Sequence, residues 1–382
     1  MKKHRNPLFV LLLAVTAIGV ASLSAQEKSD AGTTSNLPKP DGKPADMYKP
    51  VQVFLIMGQS NAVGLGFITG DKPGTLETAV KGEKLYPFLV DDAGNWVERK
   101  DVRNVQIMSG RGGGASVSHN EFMTVMGKTM GVEYGVGHPL GNAIDAPVMI
   151  LKSCIGNRSL GWDILPPGSK KFLADVKQRD GSVKKMVVAG YKEAPDMWDA
   201  DAAKGIDTPP PPFVDKKTGK PIEWYAGKQW DDDIANAKKV LSELDKHYPG
   251  AQKYEVAGIF WWQGEKDCGN DAHADHYEGN LVNLIKALRK EFNAPNAKFV
   301  MGTLGEASKG IAGNEGKVLE AMMAVDGKSG KYPEFKGNVA TVYTHDMARG
   351  GSGNGHYNHD SRVYMDVGLA MGQAMVELLK NN

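Results

Sequence analysis

The chain has almost no net charge. Lysine plus arginine number 46 and aspartate plus glutamate 45, a formal net charge of +1 over 382 residues. That balance predicts no electrostatic preference for nucleic acid or for an anionic membrane. Long apolar runs are scarce as well. Pro7 to Leu23 is the only one, so no membrane span is expected elsewhere. There is no internal repeat, and the one low-complexity piece is Pro209 to Pro212. Only two cysteines occur, Cys154 and Cys268, which limits the chain to one disulfide. No H-E-x-x-H is present. Without it the pairs His273/His276 and His356/His359 are weak metal-ligand patterns. His273 and His276 are expected instead to be solvated residues leading into a helix.

The amino terminus carries the first positive signal. Lys2, Lys3, His4 and Arg5 form a basic region, Pro7 to Leu23 an apolar core, and Ser24-Ala25 a small-residue cleavage site. Residues 1–25 are therefore expected to be a secretory signal peptide. Residues 26–47 are polar and rich in Lys, Ser, Gly and Pro, which predicts a disordered linker. Residues 48–382 then form one domain of about 335 residues, enough to bury a sizeable core. The mature protein is expected to be secreted or periplasmic, and soluble once the signal is removed. Within the domain, residues from about 166 to 230 are rich in Gly, Pro, Lys, Asp and Trp and predict elaborated surface loops.

The most informative stretch is Val51 to Asn61, VQVFLIMGQSN. Its continuous apolar run predicts a strand buried on both faces, as in a parallel sheet. The run stops at Gly58-Gln59-Ser60-Asn61. Further strands are expected over 146–151, 256–262, 298–304 and 338–343. Helices are expected over 231–248, 277–292 and 362–380. Strands alternating with helices give an α/β fold with a mostly parallel sheet. Such folds gather their chemistry at the carboxyl ends of the strands.

Four polar, glycine-bearing segments fall at those ends. They are Gly58-Gln-Ser-Asn61, Ser153-Cys-Ile-Gly156-Asn-Arg-Ser-Leu-Gly-Trp162, Gln263-Gly-Glu-Lys-Asp267, and His345-Asp346 with the glycine-rich loop to His356-Tyr-Asn-His359-Asp360. Their convergence predicts one active-site cleft. Ser60 suits a nucleophile there, since free backbone N–H groups after a strand can receive an oxyanion. The alternative is a serine that merely caps the next helix. Ala62 stands where G-x-S-x-G would need its last glycine, which counts against an α/β-hydrolase elbow. Cys154 and Cys268 both lie beyond strand tips of this cleft. In an exported protein they either pair or remain free buried thiols.

GQSN, SCIGNRSLGWD, WWQGEKD and a histidine shortly before the last helix resemble the blocks of SGNH hydrolases. More closely, they resemble the sialate O-acetylesterase-like proteins of carbohydrate esterase family 6, over most of residues 50–380. The resemblance implies a three-layer α/β/α sandwich of flavodoxin-like type. It implies removal of O-acetyl groups from carbohydrate, sialate or acetylated polysaccharide, without metal or cofactor. It assigns Ser60 as nucleophile and His356 as base. The oxyanion hole would combine the N–H groups of Ser60 and Gly156 with the Gln263 side chain.

One position departs from that pattern. The family carries an Asp three residues before its histidine, and Gly353 stands there. Asp346 is expected to replace it, with Glu265 and Asp267 as alternatives and a Ser-His dyad as a further one. Gln59, Asn61, Glu133, Arg158, Trp262 and Glu265 are candidate substrate contacts. Two other functions stay open. One is a carbohydrate-binding protein that has lost catalysis, in keeping with Gly353. The other is a metal-dependent deacetylase using the histidine pairs.

Overall fold

The computed structural model of the protein describes residue 1 and residues 37–109, 114–178, 180–201 and 204–380. Beyond Met1, the expected signal peptide lies outside the described residues, as does the first half of the expected linker. The described part of that linker touches the domain. Leu37 and Met47 pack against its cores, and Lys39 pairs with Asp92 at 2.6 Å.

In chain order, the main elements are β1 (Val51–Gly58), α1 (Ser60–Val63), β2 (Arg99–Ser109), β3 (Ala115–Met123), α2 (Glu133–Ala143), β4 (Val148–Lys152), β5 (Phe172–Lys177), β6 (Val183–Val188), β7 (Met197–Asp199), α3 (Lys228–Ser242), β8 (Tyr254–Trp262), α4 (Asp271–Glu291), β9 (Lys298–Gly302), α5 (Gly313–Val325), β10 (Val339–Val342) and α6 (Ser361–Lys380). Seven strands form one sheet in the order β10-β9-β8-β1-β4-β2-β3. Six run parallel, and β3 closes one edge antiparallel to β2.

Alternation along β1 builds both cores. Val53, Leu55 and Met57 face a core that includes residues of α3, α4 and α5. Phe54 and Ile56 face the opposite core, shared with α2 and α6. Successive strand residues point to opposite faces, so a run apolar at every position requires helices on both sides. Each such side chain contributes roughly 1.5–3 kcal/mol on burial. The result is the expected three-layer α/β/α sandwich. The α2–α6 contact is close because glycines meet there. A side-chain carbon at Gly135 would fall 2.7 Å from Gly368 Cα.

Several elements differ from expectation. α4 starts at Asp271 and not Tyr277, because the Asn270 side chain accepts the His273 N–H at 3.2 Å and caps a polar first turn. The strands β2 and β3 and the helices α2 and α5 were not expected. β2 buries Arg99 and Arg103 among its apolar residues, each satisfied by hydrogen bonds. α2 carries glycines and an internal proline, both poor helix formers, and its burial overrides them. The polar region around 166–230 contains a three-stranded antiparallel sheet, β5-β6-β7. No helix among the described residues is long and apolar enough to cross a membrane.

Candidate active site

β1 ends at Gly58, whose φ is +143°. A side-chain carbon there would sit 2.2 Å from the Trp262 carbonyl oxygen, so the turn needs glycine. The turn brings Ser60, half-buried, into a cavity of about 870 Å³. Gly156 from the loop after β4 and His356 from the loop before α6 line the same cavity. So do Gln59 and Arg158. Gly156 faces Ser60 closely: a side-chain carbon on it would lie 3.4 Å from Ser60 Cβ. Among the described residues two cations border the cavity, Arg158 and Lys266, and no carboxylate does. That sign favours negative charge developing inside.

The loop holding Gly156 is fixed from two sides. The Leu160 and Gly161 N–H groups donate to the buried Asp267 carboxylate at 2.9 and 2.8 Å. Ser159 donates through its N–H to Asp163 at 2.9 Å, and Trp224 Nε1 donates to the other Asp163 oxygen at 3.1 Å. Asp267 therefore organises the loop; it is not an acid beside the histidine. Burial raises its pKa above the ordinary carboxylate range.

His356 opens a strained turn. His356, Tyr357, Asn358 and His359 have φ of 51°, 51°, 55° and 61°. Non-glycine residues rarely occupy this region, and strain of this kind clusters at functional sites. The His356 ring makes no hydrogen bond to any described residue. Burial, and then the nearby His359, hold its pKa below the ordinary imidazole value. The two rings lie 6.2 Å apart. His359 itself is occupied: its Nδ1 lies 2.8 Å from the Leu65 carbonyl, and its ring stacks on Phe67 at 4.3 Å. His356 borders the serine cavity and His359 does not.

Several expected roles need correction. Gln263 is fully buried and its amide is committed. Nε2 donates to Asp267 at 2.6 Å and to the Arg158 carbonyl at 3.0 Å, while Oε1 accepts from Tyr277 at 3.0 Å. Both amide protons are spent, so Gln263 offers no third donor to an oxyanion in this arrangement. Asp346 is exposed and makes no hydrogen bond or ion pair with any described residue, His356 included. It is not the orienting acid here. Asn61, Glu133, Trp262 and Glu265 are buried in the protein and do not border the cavity. Asn61 Nδ2 donates to Glu265 at 2.6 Å. Trp262 stacks on Tyr357 at 5.7 Å. Glu133 pairs with Lys152 at 2.6 Å. His273 is buried, and burial lowers its pKa. The Asp196 carboxylate at 3.0 Å outweighs that, so the pKa is raised overall. His276 stacks on Phe172. His276 is exposed, as the sequence suggested, and His273 is not. Among the described residues no group of His, Cys, Asp and Glu could hold a metal ion.

The cysteines are free. Cys154 lies in the α2–α6 core, while Cys268 packs against the opposite core and its thiol faces the Gly264 carbonyl at 3.4 Å. The sheet separates them, so of the two alternatives the sequence left open the cysteines take the free form.

Sequence reasoning missed Glu306. It sits beside Glu265 under the loop that precedes His356. A side-chain carbon at Gly353 would fall 2.1 Å from Glu306 Oε2 and 2.8 Å from Glu265 Oε1. The Gly353 N–H donates to Glu306 at 3.2 Å, and its carbonyl accepts from Asn61 at 3.4 Å. An aspartate at 353 would meet two carboxylates, Glu265 and Glu306, whose side chains would have to move aside. Burial and mutual repulsion raise the pKa of Glu265. The QGE run carried half of this signal; Glu306 lies in a loop with no motif.

With this geometry described, the chain can be compared with known proteins. Residues 216–377 match the family model described as carbohydrate esterase, sialic acid-specific acetylesterase. No curated protein matches the chain. Three solved structures are similar. A protein from Arabidopsis thaliana shares 15% identity, with a TM-score of 0.44, over 86% of this chain and 98% of that one. A carbohydrate acetylesterase from Xanthomonas citri shares 14%, with a TM-score of 0.42, over 85% of this chain and 55% of that one. NanS shares 11%, with a TM-score of 0.42, over 89% of this chain and all of the other.

Proposed function

We propose that this chain, a carboxylic ester hydrolase of the sialate O-acetylesterase-like kind, is exported and removes O-acetyl groups from carbohydrate by a serine mechanism. The observation that carries the reading is one cavity bordered by Ser60, Gly156 and His356, with two cations and no carboxylate among the described residues of its wall. Export rests on the basic and apolar pattern of residues 1–25.

In this mechanism Ser60 Oγ attacks the acetyl carbonyl while His356 accepts its proton. The tetrahedral oxyanion is received by the backbone N–H groups of Ser60 and Gly156. Collapse expels the sugar oxygen, which takes the proton from His356. Water then attacks the acetyl-serine through the same base, and acetate leaves. No carboxylate among the described residues contacts the His356 ring, so the mechanism is that of a Ser60–His356 dyad, with Glu265 and Glu306 holding the loop that leads to the histidine. Acetate release from a panel of O-acetylated sugars, before and after Ser60→Ala, tests the reading. Loss of several orders of magnitude is expected. Near-normal release by the variant would exclude Ser60 as nucleophile.

A further inference from the structure

The serine cavity has a neighbour. A second cavity of about 500 Å³ adjoins it, and Ser109, Ile155, Arg158 and Trp224 border both. Beyond them, only the second is bordered by Lys228, Asp232, Ala235 and Asn236 of α3. Its volume by itself falls in the range of small-molecule sites, roughly 300–1,000 Å³. The serine cavity already has room for an acetylated ring, so the second space is not needed for a single sugar.

The boundary between the two is a rigid aromatic plane. Trp224 is pinned through Nε1 to Asp163 at 3.1 Å, and the Arg158 guanidinium lies 4.4 Å from its ring centre. Among the described residues, charge on the wall of the second cavity is balanced. Arg158 and Lys228 oppose Glu223 and Asp232, and Lys228 is paired with Asp232 at 2.6 Å. An amide and a hydroxyl complete the wall, with Asn236 Nδ2 donating to Ser109 Oγ at 3.0 Å. Lys228 Nζ also lies 5.9 Å from the Trp224 ring centre, and the amide, hydroxyl and balanced charges beside that ring suit a sugar that is neutral and hydroxylated.

We propose that the second cavity is a sugar subsite. The substrate is then an acetylated oligo- or polysaccharide whose neighbouring ring, a neutral pyranose, lies beyond Trp224 while the acetylated ring occupies the serine cavity. This inference rests on the esterase reading and narrows its substrate class.

The test compares kcat/KM on singly O-acetylated trisaccharides and monosaccharides of the xylose, glucose and mannose series. Hydrolysis of 4-nitrophenyl acetate serves as the internal reference. The inference expects the trisaccharide to be favoured about tenfold or more in at least one series, about 1.4 kcal/mol of added transition-state binding. In Ala235→Phe that preference should fall toward one. Ala235 is an exposed helix position bordering only the second cavity, so a bulky residue fills the space without entering the serine cavity. Lys228→Ala is the second variant and should weaken the preference in the same direction. A ratio near one in all three series, with 4-nitrophenyl acetate still hydrolysed, overturns the subsite and leaves the esterase reading standing. So does a high ratio that both variants preserve, since the extra ring then binds elsewhere. Failure to hydrolyse any ester overturns the esterase reading, and the subsite with it.

Discussion

Breaking the buried Lys152–Glu133 pair should cost stability and also disturb the nucleophile. Both side chains are almost fully shielded from solvent, at 0% and 3% exposure, with 2.6 Å between charged atoms. Lys152 Nζ also donates to the Val63 carbonyl at 2.8 Å, the last residue of the turn that Ser60 opens. Glu133 has one other donor, the Gly131 N–H at 2.9 Å. In Lys152→Met the Glu133 carboxylate stays buried with that single backbone donor, and Val63 loses its cation. Stranding a buried charge in this way costs about 3–5 kcal/mol. Removing both charges in Lys152→Met/Glu133→Leu leaves no stranded ion, so the double variant should cost less than the sum of the two single changes. The expected coupling is about 1–3 kcal/mol. Urea denaturation followed by tryptophan fluorescence measures all three. Turnover of an acetyl ester by the folded fraction should fall in Lys152→Met, because the Ser60 turn has lost an anchor. A single-variant cost below about 1 kcal/mol, or strict additivity in the double variant, would refute the argument.

The other expectations follow from the histidine turn and the buried polar groups. His356 is held below the ordinary imidazole value, so the acid limb of kcat/KM should fall below about pH 6.5. His359→Ala removes the neighbour that lowers His356, so the limb should move upward in pH–rate profiles; a downward shift would contradict the assignment. Gln263→Ala should destabilise the protein by about 1–3 kcal/mol, since buried Asp267 loses a donor, and lower turnover with it. Unchanged stability with a pure turnover loss would instead return Gln263 to the oxyanion hole. Glu265 has a folded-state pKa raised by burial and by Glu306, so the stability it contributes is full at acid pH and lost as pH rises. Glu265→Gln should therefore gain stability relative to the parent toward alkaline pH while losing esterase activity. A stability difference that is constant with pH would show that Glu265 is not buried as described.

The fold was legible wherever burial was complete. The β1 run from Val53 to Met57 announced a two-sided strand, and the stripes of α3, α4 and α6 announced helices. β2 was hidden because its core-facing arginines read as surface residues, and only tertiary partners make them tolerable. α2 was hidden by its glycines and proline, which are there for close contact with α6. Within the site, Ser60 could be picked out by position, while Gly156 and His356, which border the same cavity, came from the family resemblance. The supporting carboxylates could not be picked out. Asp346 was favoured because it lies at a strand tip, yet a strand-tip residue can point to solvent as easily as to the cleft. Glu306 gave no local signal, because its proximity to Gly353 depends on how two distant loops pack. Gln263 was expected in the oxyanion hole, but sequence cannot show that both of its amide protons are already spent.

The central claim is that Ser60 is the nucleophile of this cavity. The direct measurement is covalent labelling of the protein with a serine-reactive phosphonate, followed by peptide mass mapping. The account predicts a single adduct on Ser60, loss of acetyl-ester hydrolysis in step with labelling, and no adduct in Ser60→Ala. An adduct on another residue, or continued acetate release by fully labelled protein, would contradict it.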